Sequence, residues 1–191
     1  MPWDTSMKKL TSEEKAHIVF SRFKCPDTKL GTKYSLGGLY VQSIVKHVSV
    51  NALSIIQNKI PNAVIPGEGV DYDLVTDSKR LGITREHVIP VEDLFNHFYD
   101  LNQAHTLTEK TILDFLPKLE IAIITAEENK KFKGGLSKKM PEGWWDSTTL
   151  DPFDRYRAAG LDDGIWATEF LQNTAMKKTQ KKSRPTGRKG K

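Results

Sequence analysis

An acidic residue and a histidine stand side by side, as Glu86 and His87, in the segment Arg85–Pro90 with the sequence REHVIP. A neutral imidazole can take a proton from water near physiological pH. A carboxylate is a hard oxygen ligand that suits Mg²⁺. Phosphodiester hydrolysis needs both a nucleophile and a cation that offsets charge on the leaving oxygen. The two residue types therefore have the chemistry for metal-assisted hydrolysis.

The stretch EHVIP at residues 86–90 resembles the first motif of the HNH, or ββα-metal, endonucleases. In that family a β-hairpin is followed by a helix, and one divalent ion lies between them. The resemblance implies that His87 is the general base that activates water and that Glu86 is the first metal ligand. It further implies cleavage of nucleic acid, chiefly DNA, with Mg²⁺ as the cofactor.

Two arrangements could supply the remaining ligands. In the first, Asn102 and His105 follow His87 directly along the chain. In the second, which we prefer, segments 83–89 and 119–124 form the hairpin and residues 91–117 are a helical insertion. A helix over 126–133 would then be the α element.

That helix carries Glu127, Glu128 and Asn129 in its first turns, and the expected second ligands are Asn129 and Glu128. A plainer interpretation stays open for each residue. His87 would be a strand-end histidine bonded to a nearby carbonyl group, and Glu86 an exposed residue paired with Arg85. Acidic residues in a first helical turn also interact favourably with the helix dipole.

Several cations in the body of the chain are candidates for contacts with phosphate groups. Lys138 and Lys139 end a glycine-rich basic loop with the sequence GGLSKK, which lacks the ending of a P-loop. Two arginines follow the pair Trp144-Trp145, whose rings could stack on bases, although such a pair more often closes a core. The candidates are Arg85, Lys138, Lys139, Arg155 and Arg157.

The basic character of the chain is concentrated at its C-terminal end. The formal net charge is +5, from 29 Lys and Arg against 24 Asp and Glu. Residues 175–191 hold eight of these cations and no acid, so the rest has a net charge of −3. A segment so rich in charge and poor in apolar residues is expected to be disordered and to neutralise phosphates. The cations expected to bind there are Lys177, Lys178, Lys181, Lys182, Arg184, Arg188 and Lys189.

Hydrophobic periodicity and capping signals predict a mostly helical α+β domain over residues 1–174 with a small sheet. Capping boxes are expected at Thr11 and Glu14, at Thr106 and Glu109, and at Thr125 and Glu128. They would open a helix over 12–24, one that ends at about Leu116, and one from 126 to Gly134. Apolar residues at three- and four-residue steps predict one long helix over 39–60. Helical spacing predicts another over 91–101.

Other features limit the class of protein. A single cysteine, Cys25, excludes an internal disulfide and a four-cysteine zinc site. Residues 1–9 lack the apolar stretch of a signal peptide, and no apolar run is long enough to span a membrane. A cytoplasmic protein is therefore expected, with no membrane association.

Two functional hypotheses follow. The first is a metal-dependent endonuclease that acts on nucleic acid. The second is a non-enzymatic nucleic-acid-binding or assembly protein, with a basic tail and an acidic body that docks protein partners.

Overall fold

The computed structural model describes residues 10–25, 36–40, 44–75 and 78–167. The helices are α1 (Ser12–Lys24), α2 (Val50–Lys59), α3 (Ser78–Leu81), α4 (Val91–Gln103), α5 (Glu109–Phe115), α6 (Ala126–Asn129) and α7 (Asp154–Ala158). The strands are β1 (Ile44–Val45), β2 (His47–Val48), β3 (Val64–Ile65), β4 (Gly69–Asp71), β5 (Ile83–His87) and β6 (Ile121–Thr125). Short 3₁₀ turns lie at Pro61–Ala63, Leu116–Lys118, Trp144–Asp146 and Asp163–Ile165. The predicted α+β class is confirmed.

The strands form two three-stranded sheets. One has the order β1-β4-β3 and is antiparallel, and sequence reasoning did not predict it. The other has the order β2-β6-β5, with β2 parallel and β5 antiparallel to β6. The predicted pairing of segments 83–89 and 119–124 is confirmed, with the helices α4 and α5 inserted between them.

The β2-β6-β5 sheet separates two apolar clusters. Ile121 and Ile123 face the main core, which contains residues of α1, α2, α4 and α5. Ala122 and Ile124 face a smaller cluster with Phe132 and Tyr156. Every residue of β6 from Ile121 to Ile124 is buried, since both faces are covered.

Two helix starts follow the predicted capping boxes. Thr11 and Glu14 bond reciprocally at the start of α1, and Thr125 and Glu128 do the same at α6. At α5 the predicted cap is wrong: the Thr108 hydroxyl accepts from the Thr111 N–H, closer to the helix than Thr106. The Thr106 hydroxyl instead donates to the Leu101 carbonyl.

The predicted long helix over 39–60 is wrong in its first half. Residues 44–45 and 47–48 are strands, and the helix begins only at Val50. The Ser49 hydroxyl accepts from the Ala52 N–H and so caps a new helix start. Val45 and Val48 are buried, but as strand residues. The helix was predicted because a three-residue step fits one helical face as well as two short strands.

The predicted helix over 126–133 is shorter than expected. It ends at Asn129 and is followed by hydrogen-bonded turns up to residue 139. Gly134 and Gly135 have φ values of 62° and 94°, a left-handed backbone that glycine adopts without steric cost.

Among the residues that the structure describes, no helix is both long and apolar enough to cross a membrane. The predicted domain end at residue 174 and the tail, residues 175–191, lie outside the described residues.

Candidate functional site

Glu86 and His87 lie on opposite faces of the sheet. Glu86 pairs with Ala122 and His87 pairs with Ile121. Because successive strand residues point to opposite faces, Glu86 faces the smaller apolar cluster and His87 faces the main core. A metal ion bound by Glu86 would therefore lie across the sheet from the His87 ring.

The His87 ring is half-buried and packs edge-on against Tyr40, with 4.6 Å between ring centroids. The Tyr40 hydroxyl donates to the Ile89 carbonyl oxygen at 2.7 Å, which fixes the chain just beyond the strand. Burial, with the positive charges of Arg155 and Arg85, lowers the pKa of His87 to about 4. The imidazole is neutral at pH 7, but a base with so low a pKa takes protons weakly.

Glu86 is bound to an arginine from a distant part of the chain. Arg155 Nη2 lies 3.3 Å from Glu86 Oε2, and it donates to the His87 carbonyl oxygen at 2.9 Å. Burial raises the pKa of Glu86, and the Arg155 charge acts in the opposite direction. Arg85, the partner of Glu86 in the plainer interpretation, lies over the Tyr72 ring, 4.4 Å from its centroid.

Glu128 and Asn129 lie at the other end of the strand pair. Thr125 pairs with Ile83, whereas His87 pairs with Ile121, so four residue steps of roughly 13 Å separate the two ends. The helix that carries Glu128 and Asn129 therefore begins at the end of the strand pair opposite His87.

Both carboxylate oxygens of Glu128 accept hydrogen bonds within the fold. It accepts from the Ser49 hydroxyl and the Thr125 N–H, each at 2.7 Å, and from the Asn51 amide at 3.0 Å. Burial alone would raise the pKa of Glu128, but these hydrogen bonds hold it below its usual value. Ser49 caps α2 and Thr125 caps α6, so Glu128 joins the starts of two helices.

The two residues of the first arrangement, Asn102 and His105, lie beyond the middle of α4. Asn102 lies near the end of α4, roughly 16 Å along the helix from Val91, and donates to the Phe23 carbonyl oxygen at 3.0 Å. His105 is in an exposed turn beyond that helix. Over residues 10–25, 36–40, 44–75 and 78–167, no three His, Cys, Asp or Glu side chains converge as a metal site.

Two of the three arginines proposed as phosphate contacts in the body of the chain, Arg155 and Arg157, are engaged within the fold. Arg155 is completely buried. Arg157 is exposed, but its guanidinium binds three carboxylates: Asp151, Asp154 at 2.7 Å and Asp163 at 2.9 Å. Burial encloses the first guanidinium, and three carboxylates offset the charge of the second.

The tryptophan pair belongs to the core. Trp144 is buried, and Trp145 stacks on His97 with ring centroids 3.8 Å apart. Trp145 Nε1 also donates to Asp93 Oδ2 at 3.2 Å. This agrees with the core interpretation rather than with base stacking.

Exposed cations are concentrated in residues 130–139, which we call the lysine loop. Its sequence KKFKGGLSKK contains five lysines and no acid. Lys130 pairs with Glu127 at 2.7 Å. The other four are exposed and form no ion pair with the described part of the chain: Lys131, Lys133, Lys138 and Lys139.

The backbone of the lysine loop is fastened to the fold. Phe132 is buried, with its ring 4.5 Å from the Arg155 guanidinium carbon and edge-on to Tyr156. Arg155 Nη1 donates to the Leu136 carbonyl oxygen at 3.1 Å. Just beyond the loop, the Met140 N–H donates to the buried Asp93 at 2.8 Å.

Sequence reasoning named Lys138 and Lys139 but missed Lys131, Lys133 and the anchoring role of Arg155. The density of lysine without acid over 130–139 is a signal for the first two. Nothing local identifies Arg155 as an anchor, because its partners Glu86 and Leu136 are distant along the chain.

No family model matches the chain, and searches of curated proteins and of solved structures find no match.

Proposed function

We propose that this protein binds nucleic acid through its phosphate backbone, with the lysine loop as the contact surface in the folded body. The observation that carries the proposal is the set of four exposed lysines without acidic partners among the described residues, on a backbone held in place by Arg155 and Asp93. When clustered cations of this kind contact phosphates, they displace the counterions condensed on the nucleic acid. The release of these counterions favours binding.

The shape of the loop supports this function. The Lys138 and Lys139 N–H groups both bond to the Gly135 carbonyl oxygen, at 2.9 and 3.0 Å, so the loop has a hydrogen-bonded conformation. Less backbone freedom then has to be given up on binding than in an unstructured lysine run. The tail, with eight more cations, adds to the same electrostatic attraction in this proposal.

The test is a salt titration of DNA binding, measured by fluorescence anisotropy. Replacing Lys131, Lys133, Lys138 and Lys139 by Gln should lower the slope of log K against log[salt] by about 0.9 for each phosphate that is no longer neutralised. The control replaces four other exposed lysines by Gln and carries the same charge change: Lys24, Lys59, Lys79 and Lys110. Equal slopes for the two variants would sink the proposal.

A second candidate is Mg²⁺-dependent cleavage of DNA at His87, in the manner of the HNH endonucleases. The specific observation in its favour is the order of elements, because β5 and β6 pair antiparallel and α6 follows directly. The carboxylate of Glu86 and the neutral ring of His87 would supply a ligand and a base. The separation of Glu128 and Asn129 from His87 weighs against it.

Plasmid nicking with Mg²⁺ or Mn²⁺ decides between the candidates. If the protein binds DNA without cleaving it, the plasmid stays supercoiled at concentrations of unmodified protein that saturate the plasmid. Nicking that disappears in His87→Ala, with DNA affinity unchanged, would establish the second candidate and replace the first.

A further inference from the structure

We infer that the lysine loop binds one phosphate group of the nucleic acid through the backbone N–H groups of Gly135 and Ser137. This inference rests on the proposed function and names the atoms that recognise the partner. Contacts to phosphate groups carry no direct information about base sequence. The site therefore takes a nucleic-acid phosphate whatever base it belongs to.

The backbone of the lysine loop changes hand between Gly135 and Leu136. Gly134 and Gly135 are left-handed, and the Leu136 N–H donates across them to the Lys133 carbonyl oxygen at 3.1 Å. Positive φ at both central residues defines a type I′ turn. The N–H groups three and four residues after Gly135 then return to its carbonyl oxygen, and none of these later residues has a positive φ. A left-handed turn is thus followed directly by a right-handed one.

This reversal of hand creates a concave row of N–H groups. Successive N–H groups at such a junction form a backbone nest, which binds anions. The row consists of the N–H groups of Gly135, Leu136 and Ser137. The middle one is used inside the turn, whereas the other two donate to no acceptor among the described residues. Because Gly135 and Ser137 are both exposed, their N–H groups are open to a phosphate oxygen.

The nest is held in position by the buried arginine beneath it. Arg155 Nη1 donates to the Leu136 carbonyl oxygen at 3.1 Å, on the residue at the middle of the nest. Donors that are fixed before binding lose less conformational entropy on binding. Lys133 and Lys138 flank the nest along the chain, and both are exposed, so the site combines directed donors with positive charge.

The two glycines are required by the backbone conformation and not by packing. A Cβ atom on Gly134 or Gly135 would meet no atom within 4 Å. Glycine is needed here only because it adopts a left-handed backbone without steric cost. That backbone sets the direction of the N–H groups, whereas a loop that merely carried lysines would not need it.

The first experiment follows the amide protons of the isotope-labelled, full-length protein by NMR. The protein is titrated with a short DNA duplex, with inorganic phosphate, and with chloride at matched ionic strength. The control is Gly82, which is exposed and left-handed at φ 73°, but whose N–H already donates to the Lys79 carbonyl oxygen at 3.1 Å.

The amide protons of Gly135 and Ser137 should move downfield and saturate with the duplex and with phosphate, but not with chloride. The Gly82 proton should stay in place. Unmoved Gly135 and Ser137 protons in the presence of saturating duplex would overturn the inference. Movement with inorganic phosphate but not with the duplex would assign the nest to free phosphate instead of nucleic acid, which also overturns it.

The second experiment disturbs the nest without changing charge. Gly135→Ala and Gly82→Ala both place a Cβ in open space on a left-handed backbone, so they introduce the same kind of strain. Gly135→Ala should weaken duplex binding about tenfold, as expected for one lost hydrogen bond to a charged group, and Gly82→Ala should leave it unchanged. Equal affinities for the two variants, with matching circular dichroism, would contradict the inference.

The lysine-loop variant keeps this inference distinct from the proposed function. If that variant lowers the salt slope while the Gly135 and Ser137 protons of the unmodified protein ignore the duplex, only the inference fails. If the salt slope of the lysine-loop variant matches that of its control, the proposed function fails, and the inference fails with it.

Discussion

Two basic regions lie close together in the chain. The charges of one are paired within the fold, and most of those of the other are exposed. In α7, Arg155 is buried against Glu86 and two carbonyl groups, and Arg157 is bound by three aspartates. In the lysine loop, four of five cations have no acidic partner among the described residues. The comparison shows that burial and carboxylates decide whether a cation is free to meet a ligand, which residue type alone does not indicate.

The strongest test of this comparison is the replacement of Arg155 by Met. It would leave Glu86 and the Leu136 and His87 carbonyl oxygens without their donor, so we expect a loss of about 3–5 kcal/mol in the free energy of unfolding. Urea denaturation measures this loss. The matched change Arg157→Met, in an exposed network, should cost at most about 1 kcal/mol. Similar losses for the two variants would remove the distinction between them.

A second test concerns the pH dependence that His87 gives to stability. Its pKa is about 4 in the folded protein and near 6.5 in the unfolded chain, so between these values the unfolded chain binds a proton that the folded protein does not. Stability should therefore fall as the pH is lowered from about 6.5 to 4, by up to roughly 3 kcal/mol from this group.

The variant His87→Phe should lack this contribution while still packing against Tyr40. The raised pKa of Glu86 works in the opposite direction, so the quantity to measure is the difference between the two proteins across this pH range. Parallel curves of unfolding free energy against pH for the unmodified protein and His87→Phe would mean that the His87 ring binds its proton equally well in the folded and unfolded protein.

A third and smaller effect separates two neighbouring glutamates. Glu128 is buried and accepts hydrogen bonds from Ser49, Asn51 and Thr125, so Glu128→Ala should cost about 1–3 kcal/mol. Glu127 is exposed and pairs only with Lys130 among the described residues, so Glu127→Ala should cost less than about 0.5 kcal/mol. Thermal unfolding of the two variants gives the comparison. Added Mg²⁺ should not change it, whereas a selective stabilisation of the unmodified protein by Mg²⁺ would point to a metal at Glu128.

The features that sequence reasoning predicted correctly are local or strongly patterned. The capping boxes of α1 and α6 each depend on two residues three apart, and β6 is a continuous apolar run. The pairing of β5 with β6 was predicted from the hairpin that the HNH resemblance implies. The strands at residues 44–48 were missed because their few valines also fit a helical period.

The candidate site was less predictable because it depends on contacts between distant residues. Glu86 was expected to be a metal ligand or, in the plainer interpretation, to pair with its neighbour Arg85. Its partner in the structure is Arg155, 69 residues further along. The separation of His87 from Asn129 is set by strand register, which EHVIP does not encode. Lys138 and Lys139 could be named from sequence because a run of lysines without acids is a local property.

Acetylation footprinting tests most directly whether the lysines of residues 130–139 touch phosphates, as we propose. The protein is treated with a lysine-acetylating reagent with and without saturating duplex DNA, and each lysine is read by peptide mass spectrometry. We predict protection of Lys131, Lys133, Lys138 and Lys139, with unchanged reactivity at Lys24, Lys59, Lys79 and Lys110. Equal reactivity of the loop lysines in the free and DNA-bound protein would contradict the claim.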